Sequence, residues 1–384
     1  MKTIVFLIFC LLIFVSSLAA QVPVNLIEDP VELVYKIGDN LSRKFRLIKP
    51  THPAINSKGE IFVFDVDKIK IFGPAGDEKQ TIENSRRTKY FLPAPYTSSI
   101  STNYDNYFYV SSSLFSPEKE FLLKIGGNEM IREPFIVDFL KENNLVECHA
   151  GGLFPIDENR FILGCNIKDD EYYPFNMLGL YINNDKVNII YNFRIKTEIQ
   201  VSGHRAPIFL DSFKKIVIKN DKLAYIKKAD DLLEKDGESF YRINIIDLQG
   251  ELINQIVHPY EKTPYPEGYN KTEEKQYTWF INNFPESKDV YERAIEINKS
   301  IKYQHVINRF YSDNEYLFVQ LNKKNEAGEA LFDIFDTNTA KYLSSAYLPL
   351  WPKIRDGYLY RKQKTDNGSY VIEKYRINPA VYGK

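Results

Sequence analysis

The chain has little cysteine, methionine or tryptophan: three, three and two among 384 residues. Cys10 lies in the apolar N-terminal stretch, so only Cys148 and Cys165 remain beyond it, enough for one disulfide or for two separate buried thiols. An excess of either charge is also lacking, since 50 Lys and Arg face 51 Asp and Glu. No basic field argues for nucleic acid, and no long charged tail stands out. Beyond the first twenty residues no apolar run reaches the ~20 residues of a membrane-spanning helix. The usual catalytic signatures are absent too. There is no G-x-S-x-G, no H-E-x-x-H, no phosphate-cradling G-x-x-x-x-G-K-S/T and no C-x-x-C.

What is present is aromatic. Twenty-seven Tyr and 26 Phe lift the aromatic fraction to 14%, and such residues favour strands, so the composition leans all-β. The first twenty residues, MKTIVFLIFCLLIFVSSLAA, are of another kind. Lys2, an apolar run from Ile4 to Val15, and then Ser17 and Ala19 form a secretory signal peptide over 1–20. The expected location is therefore secreted or periplasmic, with no transmembrane segment once the signal is removed.

The rest, 21–384, repeats one grammar. HPAINSKGEIFVFDVDKIKIFGPAGD contains a short strand, a polar turn, an aromatic and β-branched strand, and a further strand ending in a turn. Looser versions follow at TSSISTNYDNYFYVSSS, CHAGGLFPIDENRFILGCN, HRAPIFLDSFKKIVIKNDKLAYI, HVINRFYSDNEYLFVQL and WPKIRDGYLYRKQ. A four-strand unit buries its faces only against like neighbours, so the repeat predicts a β-propeller. Six units imply six blades. The last unit runs out after three strands, and VELVYKIGD at 31–39 is free to supply the fourth and close the ring. One segment breaks the grammar. Residues 258–300 begin rich in Pro and Tyr and become helix-like, which predicts a small helical insertion between blades four and five. The acidic KADDLLEKDGE at 228–238 lacks the spacing of a calcium loop and is expected to be a solvated loop. Asn270 and Asn298 sit in N-x-S/T sequons.

Pro53, Gly59, Ile61, Val63, Asp65, Ile71, Phe72 and Gly76 carry a resemblance to the NHL-like and TolB-like six-bladed β-propellers exported by bacteria. The closing DGYLYRKQKTDNGSYVIEKYRI resembles the last blade of that family. The resemblance implies a propeller and export. It does not imply one activity, because this fold hosts binding, scaffolding and catalysis alike.

The candidate site rests on position. His52, His149, His204 and His305 each precede an expected innermost strand. Such entries converge on the central channel at one mouth. Imidazoles from several blades would there hold a small ligand, or a divalent metal such as zinc. Trp351 begins the last inner strand and offers an aromatic face at the same mouth, suited to sugars or peptides. The leading expectation is recognition of a protein, peptide or carbohydrate, without nucleic acid. Two alternatives are a metal-dependent hydrolase or lyase using the channel histidines, and a structural module of a cell-envelope assembly.

Overall fold

Runs of β-branched and aromatic residues, cut by turns built on Asp, Asn and Gly, pair into antiparallel sheets. The computed structural model describes residues 25–38, 42–66, 68–83, 100–102, 107–111, 120–126, 129–133, 149–156, 160–167, 175–183, 186–195, 198–201, 204–207, 213–219, 221–265 and 270–384. For most residues between 100 and 207 only the backbone is described.

Six sheets of four or more strands are present among these residues. The first runs Ala54–Ile55, Ile61–Asp65, Lys68–Phe72 and Glu78–Glu83. The second runs Ile100–Thr102, Tyr107–Ser111, Glu120–Gly126 and Glu129–Glu133. The third spans His149–Pro155, Arg160–Ile167, Phe175–Asn183 and Lys186–Ile195. The fourth holds Phe213–Ile218, Lys222–Lys227, Glu238–Ile246 and Leu252–Pro259, with Leu232–Lys235 as a short fifth strand. The fifth comprises Ile307–Asp313, Tyr316–Lys324, Ala330–Asp336 and Lys341–Leu348. The sixth has Lys353–Arg355, Tyr358–Lys364 and Tyr370–Ile377, and its fourth strand is Val31–Ile37 from the other end of the chain. The fold is an all-β propeller closed by an N-terminal strand.

Period-two patterning explains how the sheets stack. Alternate residues of one strand face opposite neighbours. Leu317 and Val319 pack toward the fourth sheet with Ile243 and Ile245, while Phe318 packs toward the sixth with Leu359 and Ile377. Ile61, Val63 and Phe72 of the first sheet meet Tyr360 and Ile372 of the sixth. Ile162 and Tyr191 of the third meet Leu223 and Ile246 of the fourth. Each large apolar side chain so buried contributes about 1.5–3 kcal/mol.

The closing strand pairs Val31 with Ile377 and Ile37 with Ile372. Gly38 follows at φ 149°, where a Cβ would stand 2.6 Å from Val371 Cγ1. Between the fourth and fifth sheets lie two helices, Asn270–Asn283 and Lys288–Ser300. The strand before them runs on to Pro259, past the expected start of the insertion. Val290 and Ala294 of the second helix pack with Tyr277 and with Ala206 of a separate hairpin, Glu198–Val201 paired with His204–Pro207. Asn298 is 5% exposed, so the folded chain does not present that sequon. Among the described residues no helix is long and apolar enough to cross a membrane.

The stretch expected as a solvated loop is ordered instead. Lys228–Asp231 forms one helical turn and Leu232–Lys235 pairs with the neighbouring strand. The reason is Asp231, which is buried and accepts hydrogen bonds from Lys227 N, Arg242 Nε and Asn244 Nδ2. Cys148 lies outside the described residues, and Cys165 stands opposite Ala150 across its sheet.

Candidate functional site

Each inner strand is entered from the outer strand of the preceding sheet, so all of them run the same way. Their first residues therefore gather on one face of the ring, around one mouth. The hairpin at 198–207 and the two helices are also connections from an outer strand to the next inner strand. They rise from that same face.

The structure places three of the four sequence-predicted histidines at this entry. His52 stands two residues before Ala54–Ile55, His149 opens His149–Pro155, and His305 stands two residues before Ile307–Asp313. His204 does not belong with them. It opens the second strand of the 198–207 hairpin, and the fourth sheet starts only at Phe213. HRAP pairs with EIQV, not with the fourth sheet, so a locally similar entry pattern leads to a different partner. The side chains of His149 and His204 lie outside the described residues.

The two described imidazoles are poor metal ligands. His305 Nδ1 accepts a hydrogen bond from Ile307 N at 3.2 Å, so the neutral ring carries its proton on Nε2 and has no lone pair there to give a metal. Nε2 is buried and has no hydrogen-bond partner. Burial holds the imidazole at a pKa of about 3, helped by Lys228 and Lys214. His52 is exposed, yet the crowded mouth strips part of its hydration and lowers its pKa to about 4; Lys362, Lys353 and Arg309 add repulsion. A divalent cation would meet the same repulsion. Among the described residues no three metal-capable side chains converge. The two described imidazoles do not fit a zinc site.

What does converge is cationic. Lys214 is the second residue of its inner strand, Arg309 the third and Lys353 the first. Lys353 pairs with Tyr360, which puts Lys362 beyond it at the same end. Burial lowers the pKa of Lys214 and of Lys353, and Arg309 lowers both further. Lys362 is also lowered by burial and donates to Pro50 O at 2.9 Å. Among the described residues none of these four cations enters an ion pair. Asp313 ends its inner strand on the opposite face, and Asp221 and Asp356 lie in the turns that follow the inner strands there.

Trp351 completes the mouth. It sits in the link from Lys341–Leu348 to Lys353–Arg355 at φ 59°, a left-handed conformation that is strained for a bulky side chain. The indole is 41% exposed, and Arg309 Cζ lies 3.8 Å from its ring centroid. That contact is a stacked cation–π pair, and it holds the guanidinium in place. Sequence reasoning named His52, His305 and Trp351 as candidates and did not name Lys214, Arg309, Lys353 or Lys362. A signal was present, because SFKKIV, INRFYS and PKIRDG each put a cation into an inner strand.

No family model matches the chain, and no curated protein matches it. Solved structures do. The β-propeller domain of the Trilobed protease from Pyrococcus furiosus is 10% identical at a TM-score of 0.35, covering 82% of this chain and 78% of that one. A gluconolactonase from Xanthomonas campestris is 9% identical at 0.35, covering 91% and 95%. The tricorn protease is 12% identical at 0.37, covering 92% of this chain and 35% of that one.

Proposed function

We propose that the chain is an exported six-bladed β-propeller, of the NHL-like or TolB-like kind, that recognises a ligand at the mouth where its inner strands begin. The observation that carries this reading is Trp351. A half-exposed indole on a left-handed backbone, with Arg309 over its ring, is a costly arrangement. Strain of this kind is kept where a side chain must be presented. The hairpin and the two helices, raised on the same face, give the ligand a wall.

The metal-dependent hydrolase or lyase is the weaker alternative, for the reasons His305 and His52 give. An envelope-assembly role has one observation in its favour. Trp279 and Phe284 of the insertion are 55% and 45% exposed, a surface suited to a protein partner.

A thermal-shift screen of soluble saccharides, peptides and small organic acids on the full-length protein tests the mouth. Some compounds should raise the melting temperature of the wild type and lose that effect in Trp351→Ala. A screen in which every stabilising compound acts equally on the variant refutes the site.

A further inference from the structure

Four blades each bring a basic side chain to one place, in a chain whose net charge is −1. Lys214 comes from the fourth sheet, Arg309 from the fifth, Lys353 and Lys362 from the sixth, and His52 from the entry to the first. Like charges gathered without a counter-charge among the described residues destabilise the folded protein. Ile216, Ile218, Ile307 and Ile354 on the same strands supply the apolar contacts between sheets.

We propose that this mouth binds a compact, multivalent oxyanion, a small molecule carrying two or more carboxylate, phosphate or sulfate groups. Lys214, Arg309 and Lys353 are its cationic contacts, and the buried Nε2–H of His305 is a neutral donor to one of its oxygens. The inference rests on the proposal that the mouth is the binding surface, and it names the class of ligand.

Three features support it. Burial is the largest cause of the lowered proton affinity of His52, Lys214 and Lys353, and among the described residues the charges that lower it further are all positive, Arg309 acting on each of the three. An anion offsets each of those repulsions. His305 Nε2 is a buried donor without an acceptor, and such a group costs free energy until an acceptor arrives. Arg309 is preorganised on Trp351, which leaves less side-chain freedom to lose on binding. The cations stand around the axis of a ring, not along a line. That geometry encloses a small ion and does not track the backbone of a polymer.

The test is calorimetric titration of the full-length protein at low ionic strength with citrate and with sulfate. Chloride, glucose and heparin serve as comparisons. Citrate and sulfate should bind, and chloride should compete only weakly. Lys353→Gln should weaken citrate binding by about tenfold or more, the loss expected for one charge-assisted hydrogen bond. Lys214→Gln, in a different blade, should do the same. Both variants should melt higher than the wild type when no anion is present, because a repelled charge has gone. A cation with a purely structural role would move the melting temperature the other way. Citrate and sulfate that bind no better than chloride would overturn the proposal. So would heparin binding that grows with chain length while citrate fails, which would mark a polymer site. If a neutral saccharide or peptide binds and is lost in Trp351→Ala while citrate fails, the mouth remains the binding surface and the anion assignment falls. If neither Trp351→Ala nor Lys353→Gln alters any binding, both proposals fall.

Discussion

His305 is neutral because one nitrogen accepts from Ile307 N and the other is buried beside lysines. Three of the five histidines have described side chains, and all three are held below the ordinary imidazole range. Burial is the largest cause for each, and for His258 the charge of Asp333 works in the opposite direction. In the unfolded chain each titrates near 6.5. Between that value and about 4 for His52, or about 3 for His305, the unfolded chain binds more protons than the folded one. Stability is therefore fully present above about pH 6.5 and is lost as pH falls below it. The slope is at most about 1.4 kcal/mol per pH unit for a buried imidazole and less for His52, which solvent screens. Glu60 and Glu373 are also held low, but they act only below their ordinary range near 4.5. Urea midpoints at pH 7.5 and pH 5.0 should show the wild type weaker in acid. His305→Asn, which keeps an acceptor for Ile307 N, should narrow the gap. A gap unchanged in that variant would show that His305 is not the group responsible.

Elements were legible where their cause is local. Alternating apolar residues between Asp, Asn and Gly turns marked the segments that hold the strands of the fifth and sixth sheets, because each such strand needs only its own pattern to choose its faces. The closing strand was legible by elimination, since three strands at one end need a fourth. Its removal is a test at this scale. Val31–Ile37 hydrogen-bonds along Tyr370–Ile377, and Ile37 shares a cluster with Phe45, Leu47 and Ile372 at the seam with the first sheet. Deleting residues 30–39 should lower stability in one cooperative transition, because the seam opens with the edge. A truncated protein that melts at the wild-type temperature, or one that only frays locally, would refute the role of the clasp. His204 shows where local pattern is not enough. HRAPIF has the polar start and apolar continuation of an inner strand, yet it pairs with EIQV and packs on a helix some ninety residues later. Only the partner distinguishes the two outcomes.

At the scale of the whole molecule, the cations Lys214, Arg309, Lys353 and Lys362 stand at the mouth where inner strands begin, without an ion pair among the described residues, and Asp221, Asp313 and Asp356 lie at the far ends of inner strands. Repulsion across the mouth should be visible in salt. Raising sodium chloride from about 10 mM to about 150 mM shortens the Debye length from ~30 Å to ~8 Å. The melting temperature of the wild type should rise over that range, and that of Lys353→Gln should rise less. A melting temperature that falls with salt in both proteins would show that attractions, not repulsions, dominate. The sequence by itself determined the strands, their turns, the repeat that calls for a ring and the end that closes it. Each of these depends on residues within a few positions of one another, or on a count of repeats. The site was decided only by the tertiary structure. Lys214, Arg309 and Lys353 are far apart along a chain whose charges sum to nearly zero. Electrostatic interaction depends on distance in space, so a cationic mouth exists only once the blades have brought those residues to one axis.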